Sequence, residues 1–225
     1  MAAVLSDVAA GLTAQGFPKP SALFLSSLTT NQRVLPPVVT LIETAKIRLL
    51  SADFTQPSVL EAGTLSFPSD ITNPATKELK LASPIPVQVM GVEDIGASRW
   101  SQIEAIEAHE RGETTKGREI IRVMPAEEGE NGLPPLIRGG GPHRLVLQDI
   151  KGQRVYGFEL RPVPKVGLGM NIGVKMVLNG CVVARGIVLL EPRTAVILGG
   201  KIEAAHKAWV ENRKAELKDV IGAAR

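Results

Sequence analysis

The residue types that most often carry catalysis are few in this sequence and lie far apart along it. The three histidines, His109, His143 and His206, each look like an ordinary surface or loop residue, so their spacing indicates neither a metal site nor a catalytic triad. The acidic pair Glu127 and Glu128 lies in a stretch rich in glycine and proline, where solvated charge is the expected role. We therefore predict a protein that is not an enzyme and that holds no metal and no cofactor.

Glycine and cysteine give no stronger sign of chemistry. The glycines of VGLGMNIG, which are Gly167, Gly169 and Gly173, are followed by the apolar run VKMVL. A dinucleotide-binding loop needs a helix at that point, so we predict that these glycines form corners of a barrel. The single cysteine, Cys181, cannot form an internal disulfide and lies in the apolar run CVVA, which predicts a buried thiol in a reducing compartment.

Composition indicates a soluble globular protein with a proper core. The chain has 225 residues, of which 44% are hydrophobic and 22% are charged, with a net charge of +3 and a sequence pI near 9.1. The longest apolar candidate for a membrane span, residues 170–190, is interrupted by polar and charged residues, and no leader opens the chain. We predict no membrane association and no small-molecule substrate, and the slight basic excess is compatible with nucleic acid nearby.

The elements that could position a binding surface change type along the chain. Apolar residues with helical spacing, interrupted by proline and glycine, predict a bundle of three short helices in residues 1–54. Residues 55–83 are rich in proline, serine, threonine and glycine and predict a connector. A last helical pattern occupies residues 201–225.

Between these segments, residues 84–200 alternate with a period of two, which predicts strands. Five short strands with glycine at their corners predict a small closed barrel, the OB-fold, because closure removes unpaired edges. The stretch GIVLLEPRTAVILGG fits this fold, since Pro192 cannot donate to a ladder and belongs at the break between two extended runs. The fold class is therefore α+β, a three-helix bundle followed by a five-stranded OB-fold barrel and a C-terminal helix.

The barrel strands offer little for base stacking. Tyr156 and Phe158 alternate with Val155, Gly157 and Glu159, and we expect the two aromatic rings to face the core. Charge without stacking leaves weak, salt-sensitive DNA contact. The basic residues that we assign to such contact are Arg144, Lys151, Arg154, Lys165 and Lys175.

A long insertion follows the first barrel strand. Residues 96–142 far exceed the usual connection of about 4–6 residues, and they combine polar, glycine-rich sequence with apolar islands. Two interpretations fit this pattern equally from the residues alone. The insertion folds on a partner, or its islands pack back on the chain's own barrel.

Several motifs together resemble the family of RecQ-mediated genome instability protein 1, in its shorter fungal form. They are PHRLVLQDIKGQRVYGFELRPVP, the turn Gly173-Val174-Lys175, and NGCVVARGIVLLEPRTAVILGGKI, of which residues 185–200 are the most specific part. The resemblance implies a non-catalytic nuclear subunit that binds topoisomerase III and a Bloom-type RecQ helicase and promotes dissolution of double Holliday junctions.

The resemblance also implies that the long insertion projects into the topoisomerase gate and that the barrel supplies a second contact. The residues assigned to the gate are Trp100, Ile103, Ile106, Ile120, Ile121, Val123, Leu133, Pro134, Pro135, Leu136, Ile137 and Arg138. Those assigned to the barrel contact are Arg185, Glu191, Pro192 and Arg193. Animal members carry a basic residue where this chain has Glu191, so that contact does not transfer by charge.

Two alternatives remain at this point. The first is an OB-fold module that binds single-stranded DNA through stacked bases. The second is an adaptor like the tudor-domain relative that binds another topoisomerase III, although the corresponding loop of that relative is short.

Overall fold

The computed structural model describes residues 2–30, 35–111, 113–116, 119–122 and 141–223. Five helices are present in these residues: α1 (Ala2–Ala14), α2 (Ala22–Ser27), α3 (Val38–Ser51), α4 (Arg99–Glu110) and α5 (Glu203–Ala223). The strands of the main sheet are β1 (Leu79–Lys80), β2 (Ile85–Asp94), β5 (His143–Gln148), β6 (Arg154–Glu159), β7 (Lys175–Leu178), β8 (Val182–Ala184), β9 (Ile187–Leu190) and β10 (Ala195–Gly199). A separate hairpin within the insertion pairs β3 (Glu113–Lys116) with β4 (Glu119–Arg122).

The N-terminal helices form where the sequence predicted them. Helix α2 begins after Ser21, whose hydroxyl accepts a hydrogen bond from the Phe24 amide at 3.0 Å and so caps the helix. Helix α1 packs against α3 through an apolar core. That core also takes in Phe54 and Leu60 from beyond α3, and Leu198 of β10 packs against it. A free-standing three-helix bundle is therefore not confirmed.

The main sheet has the strand order β1-β8-β9-β6-β5-β2-β7-β10. Neighbouring strands are antiparallel except β6 and β9, which are parallel. Among the described residues no ladder joins the edge strands β1 and β10, so the sheet forms a half-barrel. The mixed α+β content and the C-terminal helix of the prediction are confirmed.

The predicted count of five strands is wrong, because the long fourth strand, predicted from Val174 to the break at Pro192, is interrupted twice. Residues 179–181 separate β7 from β8, and residues 185–186 separate β8 from β9, so this one predicted strand becomes three. The short strand β1, from the predicted connector, adds one more and gives eight. Pro192 lies in residues 191–194 between β9 and β10, the break at which it was predicted, and its missing amide proton costs no ladder bond there.

The half-barrel encloses an apolar core that α5 helps to cover. Its buried residues include Val87, Leu147, Met176 and Leu190, and Trp209 of α5 packs against them. Residues of the predicted connector also enter this core, among them Phe67, Ile71 and Leu81. The first helix of the insertion, α4, packs on α5, so both helices lie over the same side of the barrel.

The end of β10 meets the N-terminal helices at very close range. Gly199 and Gly200 both have a positive φ, +98° and +97°. A Cβ on Gly200 would lie 2.3 Å from the Leu50 carbonyl oxygen, whereas a Cβ on Gly199 would meet nothing within 4 Å. The Lys201 amide donates a hydrogen bond to the same Leu50 oxygen at 3.2 Å. Only glycine allows the two backbones to approach this closely.

These two glycines give a matched test of that contact. We expect Gly199→Ala to lower the free energy of unfolding by about 1–2 kcal/mol, the usual strain of a left-handed residue. Gly200→Ala should cost a further 1–3 kcal/mol or so, because its Cβ also overlaps a backbone atom that cannot swing away. Urea denaturation of both variants measures the difference. Equal losses would contradict a tight contact between α3 and the end of β10.

Candidate functional site

The two ends of the long insertion are tied together at the edge of the sheet. The Ile95 amide donates to the Pro142 carbonyl oxygen at 3.1 Å, which joins the residue after β2 to the residue before β5. The Asp94 carboxylate accepts from the amide of Gly96 at 2.8 Å. Gln102 of α4 donates to the Asp94 carbonyl oxygen at 2.8 Å. The insertion therefore leaves the barrel from a fixed root.

Helix α4, the first part of the insertion, packs back on the chain itself. Of its three residues predicted to contact the gate, Ile103 is buried and Ile106 is partly buried against the barrel core, while Trp100 is 67% exposed. Glu107 forms ion pairs with Lys218 at 2.9 Å and with Lys214 at 3.4 Å on α5. Hydrogen bonds from these two lysines lower the pKa of Glu107. In α4, only Trp100 offers a large apolar side chain to a partner.

The remaining gate residues lie further along the insertion. Ile120 and Ile121 are in β4, where they pair with Thr115 and Thr114 of β3. The other predicted gate residues lie outside the described residues; they are Val123, Leu133, Pro134, Pro135, Leu136, Ile137 and Arg138.

The predicted barrel contact is a set of exposed turn residues. Arg185 has a φ of +51° in the turn between β8 and β9, and its guanidinium donates to the Pro74 carbonyl oxygen at 3.2 Å. Glu191 is partly buried and lies 3.7 Å from Arg161, while Pro192 and Arg193 are exposed. Arg185 precedes β9 and the other three residues follow it, so the predicted contact is divided between the two ends of this strand.

Strand β6 has the opposite orientation to the one predicted. Val155, Gly157 and Glu159 face inward, whereas Tyr156 is 48% exposed and Phe158 is partly buried. Alternation reveals two faces but does not show which is inside. Gly157 determines which face of β6 is inside, because a Cβ at this residue would lie 2.9 Å from the core side chain of Leu147.

The outward face of β6 continues onto its neighbours as an apolar surface. Tyr156 is the register partner of Ile187 on β9, and Ile187 is 40% exposed. Leu160, just after β6, is 52% exposed. We call Tyr156, Leu160 and Ile187 the outer apolar face.

Two histidines were predicted to be surface or loop residues, and this prediction is wrong, because His143 and His206 are buried. The Nδ1 atom of His143 lies 2.7 Å from the Glu159 carboxylate, which also accepts from the amides of His143 at 3.1 Å and Val163 at 2.7 Å. The Nε2 atom of His143 has no partner among the described residues. His206 accepts a hydrogen bond from the Ile172 amide at 3.1 Å through Nδ1. Both rings hold loops against the barrel.

The residues predicted to contact DNA divide into two groups. Lys151, Arg154 and Lys165 are exposed, and Arg144 is partly exposed. Lys175 is fully buried, so its predicted role in DNA contact is wrong. The burial of Lys175 could not be predicted from the sequence, because a lysine at the start of a strand is usually solvated.

Lys175 is the centre of a buried polar network between the barrel and the segment after α3. Its ammonium donates to the Gly173 carbonyl oxygen at 2.7 Å and lies 4.9 Å from the centre of the Phe54 ring. The Gln88 side-chain oxygen lies 3.4 Å from this ammonium and accepts from the Phe54 amide at 3.0 Å. The Gln88 amide group donates to Asp53 at 2.8 Å and to Gln148 at 3.1 Å.

This environment changes the charge of its members. Burial lowers the pKa of Lys175 to about 7, against the opposing effect of the Asp53 carboxylate. Burial acts to raise the pKa of Asp53, but hydrogen bonds from Thr55 and Gln88 bring it below its usual value. Lys175 is therefore close to its titration point near neutral pH.

A groove that the sequence did not reveal lies between the helices α4 and α5 and the strands β2, β5 and β6. It has a volume of about 360 Å³. Trp209 and Arg213, one turn apart on α5, lie along it, with the Arg213 guanidinium 4.9 Å from the Trp209 ring centre. Burial lowers the pKa of Arg213 to about 10, opposed by Asp94 and Glu93. The only indication of this groove in the sequence was the spacing of Trp209 and Arg213, which places them on the same face of a helix.

The described residues contain no cluster of histidine, cysteine, aspartate or glutamate side chains that could hold a metal ion. No helix among them is long and apolar enough to cross a membrane. Cys181 is buried, as predicted, and burial raises the pKa of its thiol.

Comparison with protein families matches residues 67–213 to the family described as "RMI1, N-terminal OB-fold domain". This match covers more than half of the chain and confirms the predicted OB-fold. Among curated proteins, the chain is 31% identical to RecQ-mediated genome instability protein 1 of Schizosaccharomyces pombe, over 58% of this chain and 61% of that relative.

Two vertebrate proteins of the same name are more distant. The chain is 27% identical to that of Xenopus laevis over 56% of this chain, and 28% identical to that of Mus musculus over 52%. The matches span only 21% and 18% of these two longer relatives.

The Lys175 network generates a prediction about pH. The pKa of this lysine is about 7 in the folded chain and near 10.5 when unfolded, so between these values the unfolded chain binds the additional proton. The free energy of unfolding should then rise with pH from 7 to 10, by roughly 1 kcal/mol per pH unit. Lys175→Met should flatten this rise, whereas Lys151→Met, at an exposed lysine, should keep it. Urea denaturation at three pH values tests this, and parallel curves for all three proteins would contradict it.

Proposed function

This chain belongs to the family of RecQ-mediated genome instability protein 1, and from that premise we propose that it is a non-catalytic nuclear subunit acting in genome stability. In this proposal it binds a type IA topoisomerase III and a Bloom-type RecQ helicase and makes weak contact with DNA. It modulates the topoisomerase gate and thereby promotes decatenation and the dissolution of double Holliday junctions during homologous recombination.

The observation that carries the proposal is the outer apolar face beside the root of the insertion. Three large apolar side chains are 40–52% exposed on or next to neighbouring strands, where a soluble monomer usually places polar residues. Arg161, Arg185 and Arg193 are exposed near this face. An apolar centre with arginines around it is the usual anatomy of a protein interface.

The insertion supports a second, separate contact. Its root is held by the Ile95 to Pro142 hydrogen bond, and its first helix is anchored on α5. Anchoring fixes where the insertion leaves the barrel, so a topoisomerase docked on the barrel meets it at a defined place. The packing of α4 supports the self-packing interpretation for residues 99–110 alone, and partner contact is proposed for the later part.

Gate modulation requires more than docking. A type IA topoisomerase cuts one strand, opens, passes another strand and closes again. A bound subunit changes the balance of open and closed forms only if its affinity for the two forms differs. In this proposal the barrel binds both forms alike, and the insertion binds the open form better.

If the barrel docks the topoisomerase and the insertion acts on its gate, replacing the insertion should separate binding from activity. Replacing residues 112–140, most of which lie outside the described residues, by a short Gly/Ser linker should leave folding and topoisomerase binding nearly unchanged. Decatenation and double-junction dissolution should nevertheless fall. Binding by titration and decatenation by gel assay measure the two effects on the same protein. Parallel loss of both would make the insertion a simple anchor, and full activity would exclude it from the gate.

The barrel contact has a matched pair of variants. Ile187→Glu places a charge in the outer apolar face and should weaken topoisomerase binding at least tenfold, roughly 1.4 kcal/mol, because a charge is desolvated at the contact. Val196→Glu places the same charge on β10, at a residue 51% exposed, and should bind normally. Both sites are exposed enough to keep the fold, which circular dichroism checks. Equal affinities of the two variants would place docking elsewhere.

One observation favours an additional DNA-binding function. Tyr156 lies outside the barrel, contrary to the sequence-based expectation, so the stacking group that a single-strand-binding OB-fold needs is present.

A further inference from the structure

The groove between α4, α5 and the sheet combines arginine with exposed aromatic surface. Four arginines, Arg99, Arg144, Arg154 and Arg213, line it against two glutamates, Glu93 and Glu216, which leaves a surplus of two positive charges. Its walls also contain the rings of Tyr156 and Trp209 and apolar side chains from β2, β5 and α5. We call this the arginine groove.

We propose that the arginine groove is a binding site for single-stranded nucleic acid, in which a base stacks at Tyr156 and the phosphates lie along the arginines. The inference deepens the weak DNA contact of the proposed function by giving it a site and a base-dependent component. It does not depend on topoisomerase binding.

Stacking rests on the geometry around Tyr156. The Arg144 guanidinium lies 4.7 Å from the centre of the Tyr156 ring, and the ring is still 48% exposed. The flat guanidinium and the ring form one π surface, on which a base can stack as it does on aromatic and arginine planes in single-strand-binding proteins. Glu93 holds Arg144 in place by an ion pair and also pairs with Arg99 at 3.1 Å.

Phosphate contact rests on Arg154, the exposed arginine of the groove that does not form an ion pair with Glu93. Arg154 is exposed, two residues before Tyr156 on the same outward face of β6, and its guanidinium has no partner among the described residues. Arg213 is 5% exposed and donates to Gln102 at 3.3 Å, so it adds positive charge beneath the groove without reaching a phosphate itself. Positive charge along an apolar floor is complementary to a strand with stacked bases and an anionic backbone.

The size and charge of the groove favour a nucleic-acid strand over an acidic peptide. A volume of about 360 Å³ is near the lower end of the usual range for small-ligand pockets, about 300–1,000 Å³, so it accommodates one or two bases. Glu93 and Glu216 lie in the groove itself and oppose a dense set of carboxylates. A strand can direct its uncharged bases toward these residues and its phosphates toward Arg154.

The test compares two oligonucleotides of equal charge on the full chain, measured by fluorescence anisotropy at two salt concentrations. One probe is oligo-dT, and the other is the same length with abasic residues, which keep the phosphates and lack the bases. We expect oligo-dT to bind at least fivefold more tightly. Tyr156→Ala should remove this preference and weaken oligo-dT binding about tenfold, while Tyr156→Phe should retain both.

Arg154→Gln tests the phosphate contact separately. It should weaken both probes equally and reduce the slope of log affinity against log salt by about 0.7, the value for one phosphate contact on a single strand. Lys77→Gln, which removes the same charge from the connector, should keep the slope. Circular dichroism on the same variants shows that Tyr156→Ala remains folded.

Equal affinity of the two probes for the unmodified chain would overturn the proposal, because it leaves charge alone as the cause of binding. Unchanged oligo-dT binding by Tyr156→Ala would overturn it as well. So would a poly-glutamate peptide of equal charge that displaces oligo-dT from the chain as well as unlabelled oligo-dT does. The oligonucleotide test does not use topoisomerase, and the Ile187→Glu test does not use an oligonucleotide. The nucleic-acid site and the topoisomerase contact can therefore fail independently.

Discussion

The buried ammonium of Lys175 is the constraint on which the rest of the structure depends. A desolvated amine needs hydrogen-bond acceptors, and its neighbours come from distant parts of the chain: the Gly173 carbonyl, Gln88 of β2 and the Phe54 ring after α3. The same Gln88 fixes the Phe54 amide and Asp53. The helical segment and the sheet are therefore joined by a polar network as well as by the close contact of Gly200 with Leu50.

The orientation of β6 determines which surfaces remain for partners. Gly157 and Glu159 face inward, where Glu159 satisfies His143 and the Val163 amide, so the alternate residues must face outward. Tyr156 thereby borders both the outer apolar face and the arginine groove. One strand thus supplies the edge of both surfaces, so the protein contact and the nucleic-acid contact that we propose are neighbours.

The sequence was sufficient to predict the order of the elements, the OB-fold and the position of Pro192 at a strand break, because these follow from periodicity and from the geometry of proline. It was not sufficient for features that depend on contacts between distant residues. The inward face of β6 follows from the space beside Leu147, and the burial of Lys175 depends in part on Gln88, an acceptor 87 residues earlier in the chain. The strand count failed because an apolar run such as LNGCVVA does not show where its ladder changes partner. The arginine groove arises from two helices and three strands that lie at separate places in the sequence.

The hydrogen bond between Ile95 and Pro142 makes the insertion a closed loop whose ends belong to the barrel. For such a loop the entropic cost of closure grows only with the logarithm of its length, about 0.6 kcal/mol for each doubling. Residues can therefore be gained or lost beyond this point over evolutionary time with little effect on the stability of the sheet. The root thus uncouples the length and composition of the insertion from the stability of the barrel that carries it.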